Sequence, residues 1–153
     1  MRTARILSVD DSSDDLMLLR LACNAAKVSF ELLSVESGEK AIAYLETARA
    51  YADRERFPLP DLLLLDLKMP GKSGFDVLTW VRAQPDLDHL PVIILTSSVH
   101  AEDRARALGL GANQFLVKPV GYEGLQQLVR TLDQLLKPKD LWVSPSQPPP
   151  RAL

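Results

Sequence analysis

The sequence predicts an α/β fold, a doubly wound parallel sheet built from five strand–helix units. Three observations predict it. Short apolar runs alternate with helix-period segments five times along the chain, the pattern of a parallel sheet covered by helices. One run, Asp61-Leu-Leu-Leu-Leu-Asp66, has an unbroken apolar middle, as expected of a central strand covered on both faces. The length, 153 residues, is that of one ordinary domain.

Taken in order, the first strand is Ala4-Arg-Ile-Leu-Ser-Val9, ended by Asp10-Asp11. Ser12 then offers an N-cap for a helix reaching about Ala26, and Asp15 stands three residues later, where a capping box places its acid. A second strand spans about Val28 to Val35, and Ser37 caps a helix from Glu39 to about Ala50. Residues 51–60 are charged and finish on Pro58 and Pro60, so they close that helix and form a loop. The third strand, Asp61–Asp66, leads into a Pro70-Gly71 turn and a helix from Gly74 to Ala83. Pro91 opens the fourth strand, where proline does least harm, and Thr96 ends it. A helix follows from Ala101 to Leu108, stopped by Gly109 and Gly111. A short fifth strand runs from Asn113 to Val117. The last helix, Tyr122 to Leu136, carries Leu125, Leu128, Val129, Leu132 and Leu136 at core-facing spacing. One domain is expected over residues 1–137, and the proline-rich residues 138–153 read as an extended or disordered tail. Five such units most commonly wind in the flavodoxin-like order 2-1-3-4-5, with right-handed crossovers setting helices on both faces.

Composition narrows the function. With 46% hydrophobic and 25% charged residues the chain reads as an ordinary soluble protein. The net charge is −2 and the Lys and Arg residues are scattered, which argues against nucleic acid as a partner, since phosphate backbones need a concentrated basic face. Cys23 is the only cysteine, so no internal disulfide or cysteine-based zinc site can form, and it reads as a buried packing thiol. No export signal or membrane-length apolar stretch is present, so a cytoplasmic protein is expected, with no membrane partner. His89 and His100 have no ligand partners at metal-site spacing and read as surface residues.

The strand ends carry the chemistry. Asp10 and Asp11 end the first strand, Asp66 the third, Thr96 the fourth and Lys118-Pro119 the fifth. In a parallel sheet these ends share one edge, where open α/β folds bind ligands at the topological switch point. Alone, Asp10-Asp11 would read as helix-capping acids and Lys118-Pro119 as a turn; together they describe one pocket. Three neighbouring carboxylates repel one another unless a cation is present, and a hard divalent ion such as Mg2+ suits oxygen ligands. Asp66 can attack a phosphoryl group to form an acyl phosphate. Lys118 and the ion would neutralise the phosphoryl oxygens, to which Thr96 can donate its hydroxyl. Asp14 and Asp15 read as acids favouring the positive end of the first helix, without a metal role.

The segments Val9-Asp10-Asp11, Leu65-Asp66-Leu-Lys-Met-Pro-Gly71, Leu95-Thr-Ser97 and Val117-Lys-Pro119 closely resemble the receiver domains of two-component response regulators, over about residues 4–136. The resemblance implies a phosphoacceptor, not an enzyme acting on other substrates, that takes a phosphoryl group from a sensor histidine kinase onto Asp66 and catalyses its own phosphorylation and dephosphorylation. It implies Mg2+ held by Asp10, Asp11, Asp66 and the Lys68 carbonyl, Lys118 paired with the phosphoryl group, and a cis peptide before Pro119. Thr96 and Phe115 would form the switch; phenylalanine, where many relatives have tyrosine, keeps its steric part and loses a hydrogen bond. Lys68, two residues after Asp66, would affect the lifetime of the acyl phosphate.

With only a short tail after the last helix, a single-domain regulator is expected, switching contacts with an unknown downstream protein through helix four, strand five and helix five. Homodimerisation through the same face is a further expectation. Residues 51–60 and Leu95-Thr-Ser-Ser98 look most like the small regulators that serve bacterial phytochrome kinases. The first helix carries more apolar residues than one buried face needs (Leu16, Met17, Leu18, Leu19 and Leu21), and its outer side is expected to dock the kinase. A relay intermediate or phosphate sink is the alternative within signalling. A flavodoxin-like electron carrier would need a Ser/Thr/Gly-rich phosphate loop where Asp10-Asp11 stand. A haloacid-dehalogenase-type phosphatase would need an aspartate at Lys68.

Overall fold

The computed structural model describes residues 3–50 and 58–137; residues 51–57 and the tail at 138–153 lie outside the described residues. The elements are β1 (Arg5–Val9), α1 (Ser13–Ala26), β2 (Glu31–Val35), α2 (Gly38–Ala50), β3 (Leu62–Leu65), α3 (Gly74–Ala83), β4 (Val92–Thr96), α4 (Ala101–Gly109), β5 (Gln114–Val117) and α5 (Tyr122–Leu136). All four strand pairings are parallel and the order is β2-β1-β3-β4-β5, as the sequence predicts. Among the described residues no helix is long and apolar enough to cross a membrane.

Two apolar layers sandwich the sheet. Alternation along β3 divides its four leucines: Leu62 and Leu64 join the layer under α1 and α5, and Leu63 and Leu65 the layer under α2, α3 and α4. All four are fully buried, each contributing about 1.5–3 kcal/mol of transfer free energy. β3 is therefore the rigid centre, and its carboxyl end delivers Asp66.

Local signals set the helix ends. Ser12 caps α1 by accepting from the Asp15 amide at 3.2 Å, but the expected return half of a capping box is absent. The Ser12 amide instead donates to Asp10 Oδ1 at 2.9 Å, and the Asp15 carboxylate is taken by Lys118. A complete box forms at α3, between Ser73 and Asp76. β2 begins at Glu31 rather than Val28. Lys27 adopts the left-handed conformation (φ 52°) that ends α1, and the Val28 amide turns back to the Cys23 carbonyl. Between α3 and β4 a short 3-10 turn, Pro85–Leu87, was not signalled beyond its proline.

Arg82 near the end of α3 braces two loops, donating to the carbonyls of Gly111 (3.0 Å), Asp88 (3.2 Å) and Leu90 (2.8 Å) and to Asn113 Oδ1 (3.1 Å).

Candidate functional site

Hydrogen bonds between neighbouring strand exits align the carboxyl edge. The Asp66 amide donates to the Val9 carbonyl (2.9 Å), the Asp10 amide to Val35 (3.2 Å) and the Lys118 amide to Thr96 (2.8 Å). The five residues expected at the site do meet there. Carboxylate oxygens of Asp10, Asp11 and Asp66 lie within 4.8 Å of one another, with Asp10 and Asp66 buried and Asp11 exposed. Hard oxygen donors, mutually repelling and open on one side, fit a divalent ion that keeps several waters.

Lys118 is the cation inside this cluster. Its Nζ lies 2.7 Å from Asp10 Oδ2, 2.8 Å from Asp15 Oδ2 and 3.7 Å from Asp66 Oδ2. Burial disfavours its charge, but hydrogen bonds to Asp10 and Asp15 outweigh that and hold the ammonium pKa well above its ordinary value. Asp66 goes the other way: burial, aided by the Asp10 charge, raises its pKa despite the opposing influence of Lys118 and the Thr96 side chain. Its Oδ1 accepts the Leu67 amide at 2.9 Å. Thr96 is fully buried and the Phe115 ring is buried within the α2–α3–α4 layer.

The Lys118–Pro119 peptide is trans, since the described residues contain no cis peptide. That corrects the expected cis bond; trans is the lower-energy form before proline by about 0.5–1 kcal/mol, and Lys118 reaches the carboxylates from it.

Two acids outside the expected set also join. Asp15, read only as a helix-end acid, is an ion-pair partner of Lys118. Asp103, in the first turn of α4, accepts a hydrogen bond from Ser98 Oγ (2.5 Å) and pairs with Lys68 Nζ (3.2 Å). The Ser98 hydroxyl, with Lys68 behind it, holds the Asp103 carboxyl below the ordinary carboxylate range. The Lys68 side chain is thus turned toward α4. His100 and His89 are exposed and Cys23 is buried, as expected.

Gly74, at the start of α3, is packed against the backbone of Asp66: a Cβ there would sit 2.2 Å from the Asp66 carbonyl oxygen. Helix α3 therefore seats directly beneath the strand exit.

The family model of the response regulator receiver domain matches residues 6–130. The chain belongs to that family. The response regulator Rcp1 of Synechocystis is 33% identical to this receiver over 128 residues, 84% of this chain and 85% of Rcp1. A crystal structure of the Mn(2+)-bound form of Rcp1 superposes with TM-score 0.73 at 31% identity, over 86% of this chain and 92% of that one. The phosphorylated cyanobacterial phytochrome response regulator RcpA superposes with TM-score 0.76 at 30% identity, over 88% and 94% of the two chains. AtBRR, a bacteriophytochrome response regulator, is 35% identical with TM-score 0.68, over 87% and 93%. The electron-carrier and phosphatase alternatives are not favoured beside these matches.

Proposed function

We propose that this receiver accepts a phosphoryl group from a sensor histidine kinase onto Asp66, in a Mg2+-dependent reaction, and switches protein–protein contacts. The observation that carries the reading is the convergence of Asp10, Asp11 and Asp66 within 4.8 Å of one another, with the Lys118 ammonium 2.7 Å from Asp10 and 3.7 Å from Asp66. Asp66 attacks phosphorus and forms a P–O bond. The P–N bond to the kinase imidazole breaks, its electron pair stays on that nitrogen, and a solvent proton completes the ring. Asp10, Asp11, Asp66 and the Lys68 carbonyl would hold Mg2+, which supplies neutralising charge to the phosphoryl oxygens. Lys118, already 3.7 Å from Asp66 Oδ2, pairs with those oxygens, and Thr96 donates its hydroxyl to one. Water later attacks the same phosphorus: the P–O bond to Asp66 breaks, its electron pair returns to the carboxylate, the water's proton passes to solvent, and inorganic phosphate leaves, so that the protein catalyses its own dephosphorylation.

Thr96 and Phe115 form the switch. The Phe115 ring is already buried, so the inward position of the ring is accessible without phosphate. Output goes to a downstream protein, or a second copy, through α4, β5 and α5, where Leu108 and Val117 are exposed. The kinase docks on the outer side of α1: Met17, Leu18 and Leu21 are exposed by 63%, 47% and 49%. Beside them a cavity of about 190 Å³, lined by Leu18, Tyr122 and Leu125, reaches Lys118. A bacterial phytochrome kinase is the proposed class of partner, supported by the likeness to RcpA and AtBRR. The proposed setting is the cytoplasm, where such kinases present their phosphohistidine.

The test is intact mass after incubation with Mg2+ and a small phosphodonor. Wild type gains one phosphoryl group and Asp66→Asn none, and chelator abolishes the gain. A folded wild type that gains nothing under these conditions refutes the reading.

A further inference from the structure

Asp103 joins two segments that the proposed chemistry uses. Its Oδ2 accepts from Ser98 Oγ at 2.5 Å and pairs with Lys68 Nζ at 3.2 Å. Ser98 follows Thr96 by two residues, and Lys68 follows Asp66 by two. One carboxylate on α4 therefore gathers the residue two positions after Asp66 and the residue two positions after Thr96.

Its two partners are held differently. Ser98 is buried at 8% exposure, its amide lies 3.4 Å from Thr96 Oγ1, and its hydroxyl accepts the His100 amide at 3.3 Å. The hydroxyl–carboxylate bond is thus built into the turn that starts α4. Lys68 is different, because its side chain is 62% exposed against 15% for Asp103. The flexible ammonium is the member of the network that is free to leave.

Charge decides where it goes. A phosphoryl group on Asp66 raises the negative charge there from one to about two, at a point two residues from Lys68 and in competition with the single charge of Asp103. We infer that Asp103 is a positioning residue that holds Lys68 away from Asp66 and ties the β3–α3 loop to α4 until charge at Asp66 competes for the lysine. This rests on the reading of Asp66 as phosphoacceptor. Loss of Lys68 from Asp103 then loosens the tie to α4, while the Ser98–Asp103 bond stays. Helix α4 thereby registers phosphorylation by a route separate from the Thr96–Phe115 pair.

The experiment is a four-protein cycle: wild type, Asp103→Asn, Lys68→Ala and the double variant. Each is loaded from a small phosphodonor with Mg2+, and the acyl-phosphate lifetime is followed by intact mass. Asparagine keeps the shape and an acceptor for Ser98 but removes the charge. Freed Lys68 then covers the phosphoryl group, so Asp103→Asn lengthens the lifetime by about threefold, within the range of a partly exposed ion pair. With Lys68→Ala already in place, the same substitution changes nothing. An unchanged or shortened lifetime in Asp103→Asn, or an equal change in both backgrounds, overturns the inference. Should wild type take up no phosphoryl group, the phosphoacceptor reading fails on its own, and the tie to α4 is still read in the unmodified protein. There Lys68→Ala and Asp103→Asn should each speed amide hydrogen exchange at Ser98 and His100, with no further gain in the double variant. Exchange unchanged by either substitution overturns the tie.

Discussion

Gly74→Ala separates helix propensity from the geometry of the site. Alanine is favoured over glycine in helices by up to about 1 kcal/mol, so propensity alone predicts a more stable protein. The structure predicts the reverse. A Cβ at Gly74 would lie 2.2 Å from the Asp66 carbonyl oxygen, 2.8 Å from the Leu67 Cα and 2.9 Å from the Asp66 carbonyl carbon. All three are backbone atoms at the exit of β3, so no side chain can rotate away. Either α3 lifts, stretching the 3.0 Å bond from the Gly74 amide to the Leu67 carbonyl, or Asp66 moves. Overpacking of this kind costs about 1–3 kcal/mol, and a net loss of about 2 kcal/mol lowers the melting temperature by roughly 6 °C in a chain of this length. Because the displaced backbone carries the proposed nucleophile, phosphorylation by a small phosphodonor should slow by about tenfold or more. Gly109→Ala is the control. Nothing lies within 4 Å of its Cβ position, so the protein should be unchanged or stabilised by up to about 1 kcal/mol. Thermal unfolding and a mass time course read both variants. A Gly74→Ala protein that melts at or above wild type refutes the steric reasoning.

Three other outcomes follow from separate contacts. Arg82→Ala leaves three carbonyls and Asn113 without their shared donor and should cost about 2–4 kcal/mol in urea unfolding; a loss below about 0.5 kcal/mol would show the brace to be dispensable. Burial pushes the Cys23 thiol up to about 11, so at pH 8 about one thiol in a thousand is ionised, and a disulfide reagent should react at least a hundredfold slower than with free cysteine until denaturant is added. The same shift fixes a sign: its stability contribution is complete below about pH 9, where the unfolded thiol titrates, and is lost as pH rises toward 11; stability rising across that window would contradict it. Leu18→Glu and Leu21→Glu, at exposed positions of α1, should slow transfer from the kinase while leaving transfer from a small phosphodonor unchanged, and equal slowing of both rules out docking there.

What could be read from the sequence follows from what sequence pattern encodes. Periodicity and punctuation give the elements, and the expected bounds of α3 and α5 match the structure at both ends. Pattern misleads where a residue serves a neighbouring element. Val28 looks like a strand residue, yet its amide bonds back to Cys23 to close α1. The strand-end residues Asp10, Asp11, Asp66, Thr96 and Lys118 were legible because a parallel sheet brings successive strand ends to one edge. Asp15 and Asp103 were not, since both stand on helices and reach the site through side-chain length and rotamer. Asp15 and Lys118 are separated by 103 positions, and no periodicity connects them. An acid in the first turn of a helix reads equally well as a partner of the helix dipole.

Asp15 also shows how a contact hidden from sequence alters the expected chemistry. Lys118 stands among Asp10, Asp15 and Asp66 and is nearer the first two, at 2.7 and 2.8 Å, than Asp66 Oδ2 at 3.7 Å. To pair with a phosphoryl group on Asp66 it must give up part of that hold. The Asp15 side chain is 42% exposed, so solvent weakens its pair with Lys118 to about 0.2–1 kcal/mol. Asp15→Asn keeps an acceptor in place and removes the charge, which lowers the cost of moving Lys118 and makes the site less repulsive to an anionic donor. Both effects have the same sign. At saturating Mg2+ the rate of phosphorylation by a small phosphodonor should therefore rise, by up to about fivefold for an interaction of that size. A fall in rate, with the fold intact, would mean that Asp15 aims Lys118 at the phosphoryl group instead of detaining it. Asp15→Ala then decides between charge and packing: the same rise as in Asp15→Asn assigns the effect to the lost charge alone.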